Sequence, residues 1–140
     1  MKDWLPIGQY LFQETEWDCA IPVFGELSGR SRAAILERFP QAVDGQVKVV
    51  EWEEWLQSLG FNVNRYQPDE SFTLPCAHLV ERAPGVFHWI YQDARGVFDP
   101  DPSFRFMPAD DPRMLNLSCY SRKILTVSVT AGPGVNPSSG

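Results

Sequence analysis

The spacing of apolar side chains changes near residue 60, and this change constrains the fold more than any other feature of the sequence. Before it, apolar residues recur at the three- and four-residue intervals that place them on one face of an α-helix. After it, segments such as 61–66 alternate apolar and polar residues, as half-buried strands do. This order predicts an α+β domain in which N-terminal helices pack on an antiparallel β-sheet.

Turn residues and prolines set the limits of the predicted elements. The predicted helices cover residues 18–28, 31–39 and 49–59, and the predicted strands cover 61–66, 76–80, 86–92, 97–99 and 124–130. Pro22 is tolerated in the first turn of a helix, so it fixes the first helix start near Asp18. Asp93-Ala94-Arg95-Gly96 is a turn signal that joins two strands in a hairpin. We expect one domain over 1–131 and a flexible Gly/Pro/Ser-containing tail over 132–140.

Charge and hydropathy exclude several classes of partner. The 140 residues include 12 Lys and Arg against 18 Asp and Glu, which gives a formal charge of −6. A phosphate backbone would be repelled on average, so nucleic acid is not an expected partner. No apolar run in the sequence approaches the ~20 residues that span a bilayer, and the N-terminus lacks the apolar core of a signal peptide. We expect a soluble, cytoplasmic protein without a membrane partner.

Cys19, His88, Asp99 and Gln13 form a candidate set for thiol catalysis. Such catalysis needs a thiolate, a base that later returns a proton, and hydrogen-bond donors for the developing oxyanion. Cys19 lies at the predicted start of the first helix, where the positive end of the helix dipole favours a thiolate. His88 and Asp99 lie on adjoining strands of one predicted hairpin, close enough for the carboxylate to orient the imidazole. Gln13 precedes Cys19 by six positions and could direct its amide at an oxyanion.

Each of these residues also has a purely structural interpretation. A lone cysteine in an aromatic-rich chain is usually a small buried hydrophobic residue. His88, between Phe87 and Trp89, could be a hydrogen-bonded core histidine, and Asp99 before Pro100 could be a turn residue. The order and spacing of the four residues, rather than any one of them alone, favour a catalytic role over a structural one.

The motif around Cys19 resembles that of a known enzyme family. Gln13-Glu14-Thr15-Glu16-Trp17-Asp18-Cys19-Ala20 is similar to the Gln-x4-Asp-Cys-Gly/Ala motif of the C39-type peptidases, papain-like enzymes that trim leader peptides in bacteriocin export. Leu74-Pro75-Cys76-Ala77-His78 resembles the strand that precedes the catalytic histidine in that family. His88-Trp89-Ile90 with Asp99-Pro100 resembles its His-aromatic-aliphatic strand and closing Asp-Pro. The resemblance covers about residues 11–102.

The resemblance implies a stand-alone, papain-like cysteine peptidase that needs no metal or cofactor and acts on a peptide or protein substrate. It assigns four roles: nucleophile to Cys19, general acid and base to His88, orienting residue to Asp99, and oxyanion hole to Gln13 with the backbone N–H of Cys19.

Trp17 and Trp89 are the expected substrate-binding residues. Trp89 could also shield the histidine–aspartate hydrogen bond from water, or it could be an ordinary core residue. Pro22 stands where the family usually carries a small residue. No transporter segment follows, so the family's double-glycine leader peptides are not expected substrates.

Several alternatives remain open. A papain-like scaffold could act as a binding or effector protein on a protein partner, without catalysis. Cys76, His78 and Cys119 could hold zinc, although the paired Cys-x-x-Cys spacing of strong zinc sites is absent. His78 could replace His88 as the base. The acidic run 51–55 is most simply the solvated face of an amphipathic helix, but it could dock a basic partner.

Overall fold

Helices precede strands along the chain, as the change in apolar spacing predicts. The computed structural model describes residues 18–100, 107–108 and 120–131 of the 140. The helices are α1 (Ala20–Ser28), α2 (Arg32–Arg38), a 3-10 helix (Pro40–Asp44) and α3 (Val49–Ser58). The strands are β1 (Phe61–Tyr66), β2 (Cys76–Ala83), β3 (Val86–Asp93), β4 (Gly96–Phe98), β5 (Met107–Pro108) and β6 (Arg122–Ala131). The predicted tail, 132–140, lies outside the described residues.

Local sequence signals explain where α1 and α2 begin and end. Pro22 lies in the first turn of α1, where its missing N–H has no intrahelical partner to lose. The helix ends at Gly29, whose left-handed conformation (φ 74°) lets its N–H donate to the carbonyl of Gly25. Ser31 caps α2 by accepting a hydrogen bond from the N–H of Ala34 at 3.1 Å. These signals fix the position of the first helix, and with it the position of Cys19.

The six strands in the described part of the chain form one sheet in the order β1-β6-β2-β3-β4-β5, and every pair is antiparallel. β2, β3 and β4 follow one another through two hairpins. β6 lies between β1 and β2, so the last strand in the described part of the chain is an interior strand of the sheet and not an edge strand. The structure is therefore α+β, as predicted.

The two faces of the sheet have different neighbours. Successive side chains of a strand point to opposite faces, and directly paired residues share a face. Trp89 and Tyr91 of β3 point to the helical face, where they join the main core with residues of α1 and α3. His88 and Ile90 point to the opposite face, here called the outer face, where Ile90 packs in a smaller cluster with Tyr120. His88 therefore stands on the side of the sheet away from the helices.

Aromatic rings dominate the core between helices and sheet. Trp52 is fully buried and stacks on Phe24 with ring centroids 4.4 Å apart. Phe39 and Trp55 meet Trp52 edge to face at 4.9 and 5.8 Å. Trp89 meets Phe24 edge to face at 4.9 Å. Such pairs add to the stabilisation from buried area, so this cluster joins α1, α3 and β3 firmly.

The structure differs from the sequence predictions at several points. The 3-10 helix and β5 were not predicted, and β2 continues to Ala83 because it pairs with β3 up to a tight turn at Pro84-Gly85. Asp99 follows β4 rather than lying on it, because Pro100 has no N–H to continue a ladder. No helix within the described ranges is long and apolar enough to cross a membrane.

Candidate active site at the junction of helix and sheet

Cys19 is held where α1 meets the edge of β3. It is the residue immediately before the helix, and its backbone is already helical (φ −56°, ψ −28°). β4 pairs with Tyr91–Asp93 only, so it leaves the edge of β3 near Trp89 to the start of α1. There the backbone N–H of Trp89 donates to Sγ of Cys19 at 3.5 Å. The sulfur thus lies against the strand that carries His88.

Asp18 anchors the turn that presents Cys19. Its side chain is fully buried and forms an ion pair with Arg32, from Nη2 to Oδ2, at 2.7 Å. Arg32 is the first residue of α2, so this contact ties the start of α1 to the next helix. Because the carboxylate of Asp18 is fully buried, losing Arg32 as its partner is more costly than losing a partner in a surface pair. The aspartate of the Asp-Cys motif therefore has a positioning role here.

His88, Asp99 and Tyr120 form a buried hydrogen-bonded chain. Nε2 of His88 donates to Oδ1 of Asp99 at 2.7 Å, and the hydroxyl of Tyr120 donates to Oδ2 of the same carboxylate at 2.6 Å. All three side chains are almost completely buried. Since Nε2 is held by Asp99, Nδ1 is the ring nitrogen left for the thiol of Cys19. The carboxylate fixes both the tautomer and the direction of the imidazole.

The surroundings of His88 favour its charged form. Burial opposes the imidazolium, but hydrogen bonds to Asp99 and Cys19, together with the charges of both partners, outweigh it and raise the pKa of His88 to about 9. Near neutral pH the histidine therefore carries a proton beside the sulfur. A proton donor in contact with a nucleophile, and oriented by a third group, is the arrangement that covalent catalysis by a thiol requires.

The remaining predicted site residues have different outcomes. Gln13 and Trp17 lie outside the described residues. Trp89 points to the helical face and packs on Phe24, while His88 points to the outer face, so the prediction that Trp89 shields the His88–Asp99 hydrogen bond was wrong. Alternation along the strand is the physical reason, because neighbouring residues cannot share a face.

Tyr120 was missed in the sequence analysis. It precedes β6 and has no motif spacing to Asp99, and only the pairing of β6 with β2 brings it to the outer face. A tyrosine has no sequence signal for this role unless the sheet order is known.

His78 belongs to a separate polar cluster and does not act on Cys19. Its Nε2 hydrogen-bonds Oε1 of Gln92 at 2.6 Å, and its Nδ1 hydrogen-bonds the hydroxyl of Thr126 at 2.7 Å. The Gln92 oxygen can only accept, so Nε2 carries the proton and Nδ1 accepts. Burial lowers the pKa of His78 to about 4. It is a neutral core histidine, and the suggestion that it replaces His88 is wrong.

The contacts of His78 argue against a zinc site formed by Cys76, His78 and Cys119. Sγ of Cys76 lies 3.5 Å from Nε2 of His78, but both ring nitrogens already have partners. Burial raises the pKa of the Cys76 thiol far above its usual range, which opposes the thiolate that zinc binds. Cys119 lies outside the described residues. Among the described residues, no group of three or more His, Cys, Asp and Glu side chains could hold a metal ion.

A cleft of about 420 Å³ opens beside Cys19. Its walls come from the 3-10 helix, the start of α3 and the β2–β3 hairpin, and they are mainly apolar: Ala42, Val47, Val49, Trp52, Leu79 and Phe87. Cys19 and Trp89 also line it, and a substrate-binding role for Trp89 stays a prediction. Clefts of this size and character are typical of small-ligand sites.

The two histidines of the chain should titrate far apart. We expect a pKa of about 9 for His88 and about 4 for His78 in the folded protein, for the reasons given above. Cys19→Ala should lower the first value and leave the second unchanged, because Cys19 contributes to the pKa of His88 and not to that of His78. The measurement is an NMR titration of the two imidazoles. Two overlapping transitions near the ordinary value of about 6.5 would contradict this account of the site.

Comparison with known proteins assigns neither a family nor a function to the chain. None of the protein-family models matches the sequence, and no curated protein is significantly similar to it. The chemistry of the site must therefore be argued from its own geometry.

Proposed function

We propose that the protein is a thiol-dependent hydrolase that cleaves a peptide or other amide bond on a papain-like scaffold. The observation that carries the proposal is the position of His88, which is hydrogen-bonded to the buried carboxylate of Asp99 and precedes Trp89, whose N–H donates to Sγ of Cys19. The interaction with Cys19 also helps to raise the pKa of His88. The start of a nine-residue helix at Cys19 adds a partial positive charge beside the sulfur. These features agree with the roles that the C39-type motif implies.

The proposed reaction has two steps. The thiolate of Cys19 attacks the carbonyl carbon, and the new oxyanion accepts hydrogen bonds from backbone N–H groups and from Gln13, as the motif implies. His88 gives its proton to the leaving nitrogen, so the C–N bond breaks and an acyl-thioester remains. His88 then removes a proton from water, whose oxygen attacks the thioester, and the sulfur leaves as the thiolate. The acid is released, and the ion pair of thiolate and imidazolium is restored.

Reactivity of the thiols tests the proposal without a known substrate. We expect iodoacetamide to modify Cys19 in the folded protein at least 10-fold faster than Cys76, which is fully buried and has a raised pKa. His88→Ala should slow the modification of Cys19 by a similar factor. The measurement is peptide mass spectrometry after timed labelling, normalised to the unfolded chain.

His88→Ala separates chemical activation from access, because it removes the imidazole and opens rather than closes the route to the sulfur. If Cys19 reacts equally fast in this variant, the histidine does not activate the thiol and the hydrolase proposal fails. Turnover is tested in parallel by incubating a peptide library with the wild type and with Cys19→Ala. Cleavage that persists in Cys19→Ala would also contradict the proposal.

A binding protein without catalysis is the second candidate function. Cys19 is only 8% exposed, so the sulfur is accessible to small groups and not to a broad surface. A scaffold can retain such a set after substrate access is lost. In that case wild type and Cys19→Ala should leave a peptide library equally intact, while a bound protein partner is retained by both.

A further inference from the structure

We propose that the chain forms a two-fold symmetric dimer in which β1 of one copy pairs antiparallel with β1 of a second copy. β1 (Phe61–Tyr66) is an edge strand, because β6 is its only neighbour in the sheet of the described residues. An edge strand presents a row of N–H and C=O groups that can pair with a strand of another chain. The second copy would continue the sheet across this edge, and the pairing needs no catalytic activity.

The hydrogen bonds of the sheet show which backbone groups of β1 face outward. In an antiparallel strand the N–H and C=O of one residue point to the same side, and successive residues alternate. The N–H of Val129 donates to the C=O of Pro75 at 3.5 Å, so odd-numbered residues at this end of β6 face β2 and even-numbered ones face β1. Thr130 pairs with Asn62, so the even-numbered residues of β1 bond to β6. The outward-facing groups belong to the odd-numbered residues: Phe61, Val63 and Arg65.

A second hydrogen bond gives the same alternation from the other side of the sheet. The N–H of Trp89 donates to Sγ of Cys19, away from β2, so the even-numbered residues of β3 face β2. Ile90 pairs with His78, so the even-numbered residues of β2 face β3 and the odd-numbered ones face β6, as Pro75 does.

The outward edge of β1 is open. Within residues 18–100, 107–108 and 120–131, the backbone of 61–66 has no hydrogen-bond partner outside β6. Proteins usually protect an edge with prolines, bulges or charges. β1 pairs with β6 without a register shift, and its one charge, Arg65, is neutralised by two hydrogen bonds to Glu53 at 2.6 and 2.8 Å. The strand is therefore a template for another strand over its whole length.

The side chains of β1 fit a second copy in one register. Directly paired residues share a face of the sheet, so a two-fold axis at Val63 pairs like faces. Val63 then meets its own copy, and Phe61 lies beside Arg65 of the second copy on the helical face, where a guanidinium stacks favourably on an aromatic ring. On the outer face, exposed Asn62 pairs with Asn64 of the second copy, and each amide can both donate and accept.

The same register uses every outward backbone group. Each hydrogen-bonded pair of an antiparallel ladder exchanges two N–H···O bonds, so the three outward residues of each copy would make about six bonds. An axis at Asn64 instead would leave Phe61 without a partner in the strand and place Val63 opposite Arg65. A pairing of six residues a side is a small interface, so we expect a weak, concentration-dependent dimer.

A strand bound at β1 is a partner rather than a substrate. β6 and β2 lie between β1 and β3, so β1 is about 14 Å from the strand beside Cys19. A peptide paired with β1 would not reach the sulfur.

Sedimentation velocity of the full chain over a range of concentrations measures the dimer. We expect the mass to rise with concentration from the 15.9 kDa of one chain toward twice that value. Val63→Pro removes the outward N–H at the axis but no bond to β6, so it should raise the dissociation constant about 10-fold or more. Val63→Ala keeps the N–H and is the matched control, with a much smaller change. A wild type with the mass of one chain at every concentration would overturn the proposal.

Charge variants test the register and remain available if Val63→Pro fails to fold. The double variant Asn62→Asp/Asn64→Lys sets opposite charges against each other across the axis, whereas Asn62→Lys/Asn64→Lys sets like charges. We expect the dissociation constant of the second to exceed that of the first by about 10-fold or more at low salt. Overall repulsion predicts the reverse order, because the second variant lowers the net charge of −6 and the first leaves it unchanged. Equal constants, or the reverse order, would contradict the register.

Amide exchange measured by NMR identifies the edge directly. The N–H groups of Asn62 and Asn64 bond to β6 and should be protected in monomer and dimer alike. Those of Val63 and Arg65 should be protected in the wild-type dimer and should exchange several-fold faster in Asn62→Lys/Asn64→Lys at the same concentration. Equal exchange in a dimeric wild type would show that the copies meet elsewhere. Protection of these groups in a monomeric wild type would show that another part of the chain occupies the edge, and either result would overturn the proposal.

Discussion

Asp99→Asn is expected to lower kcat/KM for amide hydrolysis by roughly 10²–10⁴-fold, as loss of the charged partner of a catalytic histidine does in other hydrolases. The amide has nearly the same shape, but it has no charge to stabilise the imidazolium. It can also accept through only one oxygen, so it cannot serve both Nε2 of His88 and the hydroxyl of Tyr120. In the variant, either the imidazole of His88 takes the other tautomer, or one of the two donors, Nε2 of His88 or the hydroxyl of Tyr120, loses its acceptor.

The pH profile gives a readout that a general loss of structure would not produce. The Asp99 hydrogen bond and charge raise the pKa of His88, so Asp99→Asn should lower it. Activity that needs the imidazolium declines as pH rises through this pKa, and that decline should therefore move from about pH 9 to lower pH in the variant. Tyr120→Phe keeps the charge and removes one hydrogen bond, and we expect a loss of only about 10-fold. A Tyr120→Phe loss as large as that of Asp99→Asn would contradict the assignment of Asp99 as the principal partner.

Trp52→Ala is expected to lower the free energy of unfolding by about 3–5 kcal/mol. The side chain is fully buried, stacks on Phe24 and meets Phe39 and Trp55 edge to face. Its removal opens a cavity between α1 and α3 that aromatic neighbours cannot easily fill. The measurement is urea unfolding at neutral pH.

Val50→Ala is the matched control for Trp52→Ala, because Val50 lies on the same helix and is half-exposed. It should change the free energy of unfolding by no more than about 0.5 kcal/mol. Trp52→Phe should lie between the two, since the indole N–H of Trp52 finds no hydrogen-bond acceptor in the described part of the chain and its removal costs nothing polar. A cost below about 1 kcal/mol for Trp52→Ala would show that this cluster does not hold the helices to the sheet.

Most of the helices and strands can be predicted from short-range sequence signals. Pro22 and Gly29 delimit α1, Ser31 caps α2, and alternation reveals β1 over its full length. The turn at 93–96 correctly joins β3 to β4. These features are readable because each depends on residues within one or two turns of the chain. The closeness of His88 and Asp99 follows in the same way, since one hairpin brings them together.

The remaining features depend on long-range pairing. Nothing near Tyr120 signals that β6 inserts between β1 and β2, and only this insertion brings the tyrosine to Asp99. The polar cluster of His78 likewise joins three strands, through Gln92 and Thr126. The error over Trp89 arose because adjacency in sequence was taken as adjacency in space, whereas a strand separates neighbours onto opposite faces.

The position of β6 between β1 and β2 also determines when the sheet can assemble. During synthesis, β1 and β2 leave the ribosome well before residues 122–131, and the place between them stays empty until that strand arrives. The sheet therefore closes late, and such non-local pairing is slow. The nascent chain holds Cys19 before Tyr120 can join His88 and Asp99, so the arrangement proposed for catalysis is complete only after residues 122–131 have been synthesised.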